Sequence, residues 1–463
     1  MKTRHSLFTL TAVALLSASN AMAQDTATQQ GDPKANGPAA GDTTQPKPAP
    51  SVLSLQAPIV TQYFRPQDQR GINVFEAPKE AGAPWTGFRL SFGAAFRQSF
   101  QGLQHENTAA PVIVNNVNQN QLMKIGHGFN TASANLMVNA QLAPGIRVAM
   151  TSYLSSRHHN ETWVKDGYIQ IDQSPINVAL LNNLMKYTTV KVGHFEVNYG
   201  DAHMRRTDNG NGAYNPFVGN LILDAFTTEV GAEVYVRPGS FILMGGITGG
   251  EIKGDLLSPE NREPAYLTKL GFDRQLTKTL RVRLTGSGYV NNESPANTLY
   301  AGDRSGSPYF WVLENTQATS TAQAFSGTLN PGFRYKVQAI QANPFVKFRG
   351  VEFFGVAEQA KGRSATETAD RVWSQYSGEL VYRFLANEKL FVGGRYNTAT
   401  GALTGITNSV SVDRTQLGAG WFITPTLLLK GEWVQQKYND FPTTDIRNGG
   451  KFKGFMVEGA VAF

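Results

Sequence analysis

Apolar and polar side chains alternate at every second position along most of the chain. In the stretch "FRLSFGAAFR", residues 88–97, one face carries Phe88 and Phe92 while the other carries Arg89 and Arg97. Successive side chains of a β-strand point to opposite faces, so a period of two predicts a strand with one apolar and one polar face. Such a strand suits a wall between lipid and water.

This alternation recurs in sixteen segments that are separated by two kinds of connection. We predict strands near residues 86–101, 130–142, 146–158, 163–173, 188–200, 226–237, 241–251, 265–276, 279–292, 333–341, 344–358, 371–385, 389–401, 410–424, 426–440 and 450–463. Tight turns are expected at 143–145, 237–240, 276–279, 342–344, 385–389 and 424–426, and long polar loops at 102–129, 201–225, 252–264, 293–332, 359–370 and 441–449. A helix-like piece at 178–187 interrupts one turn. The pattern predicts an all-β fold, an antiparallel transmembrane β-barrel of about 16 strands with short periplasmic turns and long extracellular loops.

Composition supports a barrel over other classes of protein. Gly (46), Phe (27) and Tyr (16) are abundant, as expected for twisted strands with aromatic flanks, and there is no Cys, which excludes disulfides. Beyond the N-terminal segment no run of about 18 apolar residues occurs, so helical spans are excluded and a membrane protein must be a closed barrel. A secreted β-sandwich is the alternative fold, but its second face need not carry regularly recurring Arg and Lys.

The N-terminus is predicted to be a secretory signal peptide over residues 1–23. Lys2 and Arg4 precede an apolar run, and the small residues Ala21 and Ala23 flank a cleavage point. Its removal takes away two basic residues and leaves a net charge of (42 − 2) − 35 = +5. This mild charge is spread along the chain, whereas a nucleic-acid-binding protein would concentrate it in one stripe.

Three further regions follow the predicted signal peptide. Residues 24–58 are rich in Pro, Thr and Gln and are predicted to be a disordered periplasmic linker. Residues 59–84 show no clear period and are expected either at the periplasmic mouth or in the lumen. Residues 85–463 are assigned to the barrel.

The chain ends in the alternating stretch "GFMVEGAVAF", whose last residue is Phe463. Together with the strand pattern and the alternating connections, this ending resembles the bacterial outer-membrane porins of Gram-negative bacteria. The resemblance implies that Phe463 is part of the signal read by the barrel-insertion machinery. It also implies an outer-membrane location among lipid and lipopolysaccharide, with a homotrimer as one open oligomeric state.

A second, shorter resemblance concerns one strand. The stretch "VKVGHFEVNYG", residues 190–200, is similar to a strand of porin O and P-like proteins, with Gly193, Phe195, Tyr199 and Gly200 in the matching positions. That branch is phosphate-selective. Its phosphate-binding Arg and Lys residues do not map onto this chain, so the resemblance leaves phosphate selectivity open.

If the apolar face of each strand meets lipid, the other face lines the lumen. The predicted pore-lining residues are Arg89, Arg97, Arg147, Lys191, Glu229, Glu233, Arg281, Arg283, Arg334, Lys336, Arg395, Arg414, Lys430 and Glu432. With Arg237, Arg383, Glu379 and Glu458 added, thirteen basic residues face five acidic ones. Such an excess in a confined aqueous channel favours anions, although Arg237 and Arg383 are also compatible with a position at the rim.

The long segment 200–220 follows the fifth predicted strand and is a candidate constriction loop. It carries Asp201, His203, Arg205, Arg206 and Asp208 between glycines. Opposed charges across a constriction would select solutes by charge and size. A solvated surface loop is the equally weighted alternative.

These features favour a porin that forms a water-filled channel for passive diffusion of small hydrophilic solutes, with a mild anion preference. The alternative is a non-pore barrel for adhesion, surface binding or scaffolding, with residues 293–332 as a contact surface. G-x-S-x-G, H-E-x-x-H and P-loop motifs do not occur in the sequence. We therefore expect no enzymatic activity, no cofactor and no metal, while phosphate, organic acids and small sugars remain open as solutes.

Overall fold

The computed structural model describes residues 64–77, 79, 85, 87–154, 162–252, 262–302, 308–406 and 408–463. The predicted signal peptide and the predicted linker both lie outside the described residues. Among the described residues, no helix combines the length and apolar character that crossing a membrane requires.

Sixteen long strands form the fold. The first eight are β1 Arg89–Glu106, β2 Ser133–Ala143, β3 Ile146–Leu154, β4 Thr162–Ile171, β5 Thr188–Glu196, β6 Thr228–Val236, β7 Phe241–Thr248 and β8 Ala265–Gln275. The second eight are β9 Leu280–Asn291, β10 Lys336–Phe348, β11 Val351–Arg363, β12 Arg371–Phe384, β13 Leu390–Gly401, β14 Val410–Thr424, β15 Leu427–Asn439 and β16 Lys451–Ala462.

Every strand pairs antiparallel with its neighbour along the chain, and the first strand closes the sheet on the last. On one side of β1, Arg89 is opposite Gln141 of β2, and on the other side Ala95 is opposite Ala462 of β16. The short strand Gly128–Phe129 joins β1 outside the main ladder. The predicted fold, a closed antiparallel β-barrel of sixteen strands, is confirmed.

The two faces of the wall have opposite character. On β1, Phe92 is 64% exposed whereas Arg97 is 5% exposed. Other strands repeat this arrangement, with Leu284 exposed beside the buried Arg283. Large apolar side chains therefore point outward, as in a barrel that spans lipid, while polar and charged side chains point inward.

One turn lies seven residues beyond its predicted position. Residues 342–344 lie within β10, and the chain reverses at Arg349, whose φ of 53° is left-handed. The sequence was misleading because Pro344 suggests a turn, yet a proline is tolerated at a position where the ladder is interrupted, and the pairing with β11 skips this residue. As a result Glu352 and Glu358 face inward and are buried.

The remaining described elements are short. Helix α1, Ala179–Met185, lies in the connection between β4 and β5, where the sequence has its helix-like piece, and α2 is Ser320–Gln323. Single turns of 3-10 helix occupy Gln69–Gly71, Ala202–Met204 and Ala386–Glu388. Two small two-stranded sheets pair Ile113–Val114 with Val117–Asn118, and Tyr309–Phe310 with Phe325–Ser326.

Three segments place side chains inside the barrel, and we name them here. The inner strap is residues 64–77 and 79, the inner loop is residues 197–227 between β5 and β6, and the outer loop is residues 292–302 and 308–335 between β9 and β10. Each contributes buried aromatic side chains, including Phe75, Phe217 and Tyr309. The inner strap is the described part of the predicted segment 59–84.

Candidate functional site

The inner loop is held across the lumen by a lysine of the far wall. The Lys430 ammonium on β15 donates to the carbonyl oxygens of Gly212 at 2.8 Å, Asn215 at 3.0 Å and Phe217 at 2.8 Å. The same ammonium lies 3.1 Å from a carboxylate oxygen of Glu458 on β16. A buried ammonium needs such compensation, so this contact fixes the middle of the inner loop to the wall.

A glutamate next to that lysine fixes the following residues. Glu432 accepts hydrogen bonds from the backbone N–H groups of Val218 at 2.8 Å and Gly219 at 3.1 Å. The hydroxyl of Tyr309, from the outer loop, donates to its other oxygen. One wall carboxylate thus joins the inner and outer loops.

The start of the inner loop is held by an ion-pair cluster. Asp201 lies 2.6 Å from the Lys269 ammonium and accepts two hydrogen bonds from Arg283, at 2.7 and 2.8 Å. The hydroxyl of Thr285 donates to it at 2.8 Å. Burial would raise the pKa of Asp201, but the charges of Lys269 and Arg283 outweigh that effect and lower it. Asp201 is therefore a carboxylate at neutral pH.

The neighbouring arginines of the inner loop are also paired. Arg205 donates to Glu379 of β12, while Arg206 forms a bidentate pair with Asp224 at 3.0 and 2.6 Å. The Arg206 guanidinium also lies 4.0 Å from the ring centroid of Phe226. Bidentate geometry orients a guanidinium strictly, so both charges have fixed positions in the lumen.

His203 and Asp208 belong to a third cluster near β4. The Lys165 ammonium lies 2.7 Å from Glu196 and 2.6 Å from Asp208, and the His203 ring nitrogen Nδ1 bonds to Glu196. The structure thus places all five predicted constriction-loop residues inside the barrel. A solvated surface loop, the alternative, would place them outside it. No group of three or more His, Cys, Asp or Glu in the described ranges is arranged to hold a metal ion.

A small cavity lies between the inner loop and the wall. Its charged lining is Arg205, Arg206 and Asp224 from the loop and Glu379 and Arg395 from the wall. The cavity volume is about 20 Å³, enough for a water molecule but not for a larger solute. A solute passing here must displace side chains.

Most of the predicted pore-lining residues lie on the inward face of their strands. These are Arg97, Arg147, Lys191, Glu229, Glu233, Arg281, Arg283, Arg395, Arg414, Lys430 and Glu432, together with Arg89 on the same face of β1 as Arg97. Arg237 donates to the carbonyl oxygen of Ala77 in the inner strap, and Arg383 donates to the buried carboxylate of Glu352.

Two predicted residues are placed elsewhere. Arg334 is exposed and precedes β10, and Lys336 shares the face of β10 that carries the 63% exposed Ile340. Lys336 pairs with Asp370 at 2.9 Å. The reason is that the apolar face faces inward here: Phe333, Val337 and Ala339 belong to the buried cluster that the outer loop joins, so the polar face with Lys336 points outward.

The interior is not the strongly basic surface that the sequence predicts. Among the described residues, eleven basic and twelve acidic side chains are buried. The predicted pore-lining set lacks Glu352 and Glu358 because of the misplaced turn. It also lacks Lys269. Lys269 lies on the inward face of β8 beside the buried Leu267. Because this inward face also carries large apolar residues, the alternation does not identify it as the face toward the lumen.

Comparison with known proteins adds the fold class. No family model and no curated protein matches the chain. Among solved structures, it is similar to an anion-selective porin from Comamonas acidovorans, with 11% identity and a TM-score of 0.50 over 81% of this chain and 100% of that chain. It is also similar to the outer-membrane-expressed OmpT of Vibrio cholerae, with 9% identity and a TM-score of 0.48 over 82% and 99% of the two chains.

A third similar structure is the outer membrane channel DcaP of Acinetobacter baumannii, with 10% identity and a TM-score of 0.48 over 83% of this chain and 100% of that chain. At such identities the likeness concerns the fold, an outer-membrane type β-barrel. Structures of bacterial porins are thus among the neighbours of this chain.

Proposed function

We propose that the protein is a porin-type channel of the bacterial outer membrane that passes small hydrophilic solutes by passive diffusion. The observation that carries this proposal is the inner loop, which crosses a closed barrel and presents fixed charges to the lumen. Apolar side chains outside and charged side chains inside are what an aqueous path through lipid requires.

The narrowness of the constriction sets the expected conductance. The cavity beside Arg205, Arg206 and Arg395 holds about one water molecule, so an ion that takes this route passes only when side chains or the inner loop move. We expect single-channel steps that are small compared with those of a wide sixteen-strand pore.

The proposed charge selectivity is a mild anion preference that originates at this cavity. Three guanidinium groups and two carboxylates line it, an excess of one positive charge. The buried charges as a whole nearly balance, with eleven basic and twelve acidic side chains among the described residues, so the preference is weak. A phosphate-selective site of the porin O and P-like kind stays a proposal without assigned ligands. A fixed charge acts most strongly where solvent is most confined.

Membrane insertion and assembly are part of the proposal. The backbone N–H of Phe463 donates to the carbonyl oxygen of Ala94, and the N–H of Ala94 donates to that of Phe463, both at 3.0 Å. The terminal aromatic therefore lies at the closing seam of the barrel, 54% exposed, where the insertion machinery can contact it. We propose a homotrimer among lipid and lipopolysaccharide, and no enzymatic activity.

The filled lumen favours one alternative. The inner strap and both loops occupy the barrel, as expected of a scaffold or adhesin that binds through its outer loops and conducts nothing. Planar-bilayer recording of the purified full chain separates the two functions. Stable conductance steps support the channel, and their absence at high protein concentration, with the barrel shown intact by heat-modifiable migration on a gel, supports the scaffold.

Selectivity has its own test. Changing Arg395→Glu should shift the reversal potential in a salt gradient toward cation preference, because the side chain lies at the cavity. The matched control Lys336→Glu makes the same change from a positive to a negative side chain, but on the outward face. It should leave the reversal potential unchanged. Equal shifts in both variants would contradict a preference set at the cavity.

A further inference from the structure

The inner strap has a compact local structure inside the barrel. The Asp68 side chain accepts a hydrogen bond from the backbone N–H of Arg70 at 2.9 Å and begins the turn Gln69–Gly71. A β-carbon at Gly71 would lie 1.9 Å from the carbonyl oxygen of Pro66, so this position requires glycine. The strap is therefore folded back on itself.

Apolar side chains fix the strap to the wall at two places. The ring of Phe75 packs edge to face on Phe345 of β10, with centroids 5.4 Å apart, and Phe354 belongs to the same buried cluster. Ile72 packs against a second inward-facing cluster that includes Phe391 and Phe422. Such aromatic burial is a strong contribution to a fixed position.

Charged contacts complete the attachment. One carboxylate oxygen of Glu76 lies 3.1 Å from the Lys269 ammonium, and the other lies 2.8 Å from Arg283. Burial would raise the pKa of Glu76, but these two cations outweigh it and hold the pKa well below its usual range. Glu76 thus joins the cluster that also holds Asp201 of the inner loop.

A second polar contact joins the strap to the arginine of the constriction. Asn73 donates from Nδ2 to Glu352 at 2.6 Å and accepts from Arg205. The backbone carbonyl oxygen of Asn73 accepts a hydrogen bond from Arg281 at 2.8 Å. The position of Arg205 therefore depends on the strap as well as on the wall.

The strap crosses the lumen at the end where the short turns lie. At one side, the N–H of Gln69 donates to the carbonyl oxygen of Pro425 in the β14–β15 turn, at 3.0 Å. At the other side, Arg237 donates to the carbonyl oxygen of Ala77, and Lys79 donates to that of Thr188 at 2.6 Å. The contacts thus reach from β14–β15 to β5–β6 across the opening.

We propose that the inner strap is a fixed part of the channel constriction that limits conductance and reduces the anion preference of the lumen. This inference rests on the proposed channel function and adds a second determinant to the inner loop. The strap occupies the cross-section, and Glu76 brings a negative charge to Lys269 and Arg283. Without that charge, Lys269 and Arg283 would keep only the carboxylates of Asp201 and Asp273 as partners.

The first test uses full-length variants in planar bilayers. Glu76→Gln keeps the shape and removes the charge, and it should raise the anion-to-cation permeability ratio about twofold, since the potential in a confined pore follows its fixed charge. Phe75→Ala combined with Glu76→Ala removes both kinds of anchor and should raise the conductance at least about twofold. Arg70→Gln is the matched control, because Arg70 bonds to Asp68 within the strap. It should behave like the wild type.

A second measurement does not depend on releasing the strap. The sequence has no cysteine, so Val74→Cys gives a single reactive thiol on the strap. Modification with an anionic thiosulfonate should lower the conductance and shift the reversal potential toward cation preference. Lys278→Cys, in the exposed turn between β8 and β9 at the same end, should show neither change after the same treatment.

The outcomes separate this inference from the proposed function. A wild type that gives no conductance in a barrel of intact heat-modifiable migration overturns the channel itself, and with it a role of the strap in conduction. A wild type that conducts, with Glu76→Gln, the double variant and the modified Val74→Cys protein all matching it, overturns the strap inference alone.

Discussion

The two ends of the lumen are closed by different physical means. At the short-turn end, the inner strap and inner loop meet in a cluster of ion pairs built on Glu76, Asp201, Lys269 and Arg283. At the long-loop end, the outer loop fills the barrel with apolar and tyrosine side chains, and the ring of Tyr309 lies 5.3 Å from that of Phe452.

This difference shows that the same barrel wall supports an apolar seal at one end and a charged constriction at the other. Apolar packing stabilises in proportion to the area removed from water and needs no counter-charge, so it suits a seal. Buried ion pairs recover their desolvation cost only when every charge is partnered, and removal of one partner is severe. The short-turn end is thus fixed by charges whose balance also sets the field that a passing ion meets.

The largest expected effect comes from breaking the ionic end. Asp201→Ala leaves Lys269 and Arg283 with one carboxylate fewer, and we expect a loss of about 3–5 kcal/mol in the free energy of unfolding. Denaturant unfolding in detergent, followed by tryptophan fluorescence, measures it. The control Asp445→Asn affects a partly exposed pair with Arg447 and should cost less than about 1 kcal/mol. Equal losses in both variants would contradict the importance of burial.

The long-loop end should respond to volume and not to charge. Phe452 is fully buried, and Phe452→Ala should cost roughly 3 kcal/mol through lost contacts and the cavity left behind. The loss should be the same at low and high salt, because no charge is removed. Tyr309→Phe keeps the ring and loses the hydroxyl's hydrogen bonds to Glu432 and from Gln416, so a smaller loss is expected. A marked salt dependence of the Phe452→Ala loss would contradict an apolar seal.

The ends should also differ in their response to pH. In the outer loop, burial raises the pKa of Glu314 to about 7, against a smaller opposing effect of Arg447. Because the folded loop holds this proton more tightly than an unfolded chain does, its stability is fully present below the unfolded value of 4.5 and falls as pH rises toward about 7. Glu76 and Asp201 have lowered pKa values, so their contribution is lost only in acid.

Hydrogen exchange checks this difference. After correction for the intrinsic rate, protection of the outer loop should increase between pH 8 and pH 6, while protection of the inner strap should stay constant. Glu314→Gln should remove the pH dependence of the outer loop. A pH-dependent strap over the same interval would show that its carboxylates titrate near neutrality, against the sign given above.

The smallest effect is expected on the outward face. Lys336→Gln removes a partly exposed pair with Asp370 and should cost less than about 1 kcal/mol without changing single-channel conductance. A shift in reversal potential as large as that expected of Arg395→Glu would place Lys336 on the conduction path and contradict the assigned register of β10.

The strand pattern of the sequence predicts the wall because it is local. In residues 88–97 each side chain's face follows from its parity alone, since the pleat of a strand reverses direction at every residue. The same reasoning places Arg97, Arg283 and Lys430 inside. It failed at residues 342–344, where Pro344 lies within a strand, and a single misplaced turn concealed Glu352 and Glu358.

The sequence by itself therefore determined the barrel, its strand order and most of the inward-facing residues. Only the tertiary structure decided what fills the lumen and how its charges balance. The inner strap and the inner loop have no periodicity, and their course depends on partners distant in the chain, such as Lys269 for Glu76 and Lys430 for Phe217. Buried charges are compensated in space and not along the sequence, so a count of residues on one face of each strand does not give the field in the lumen.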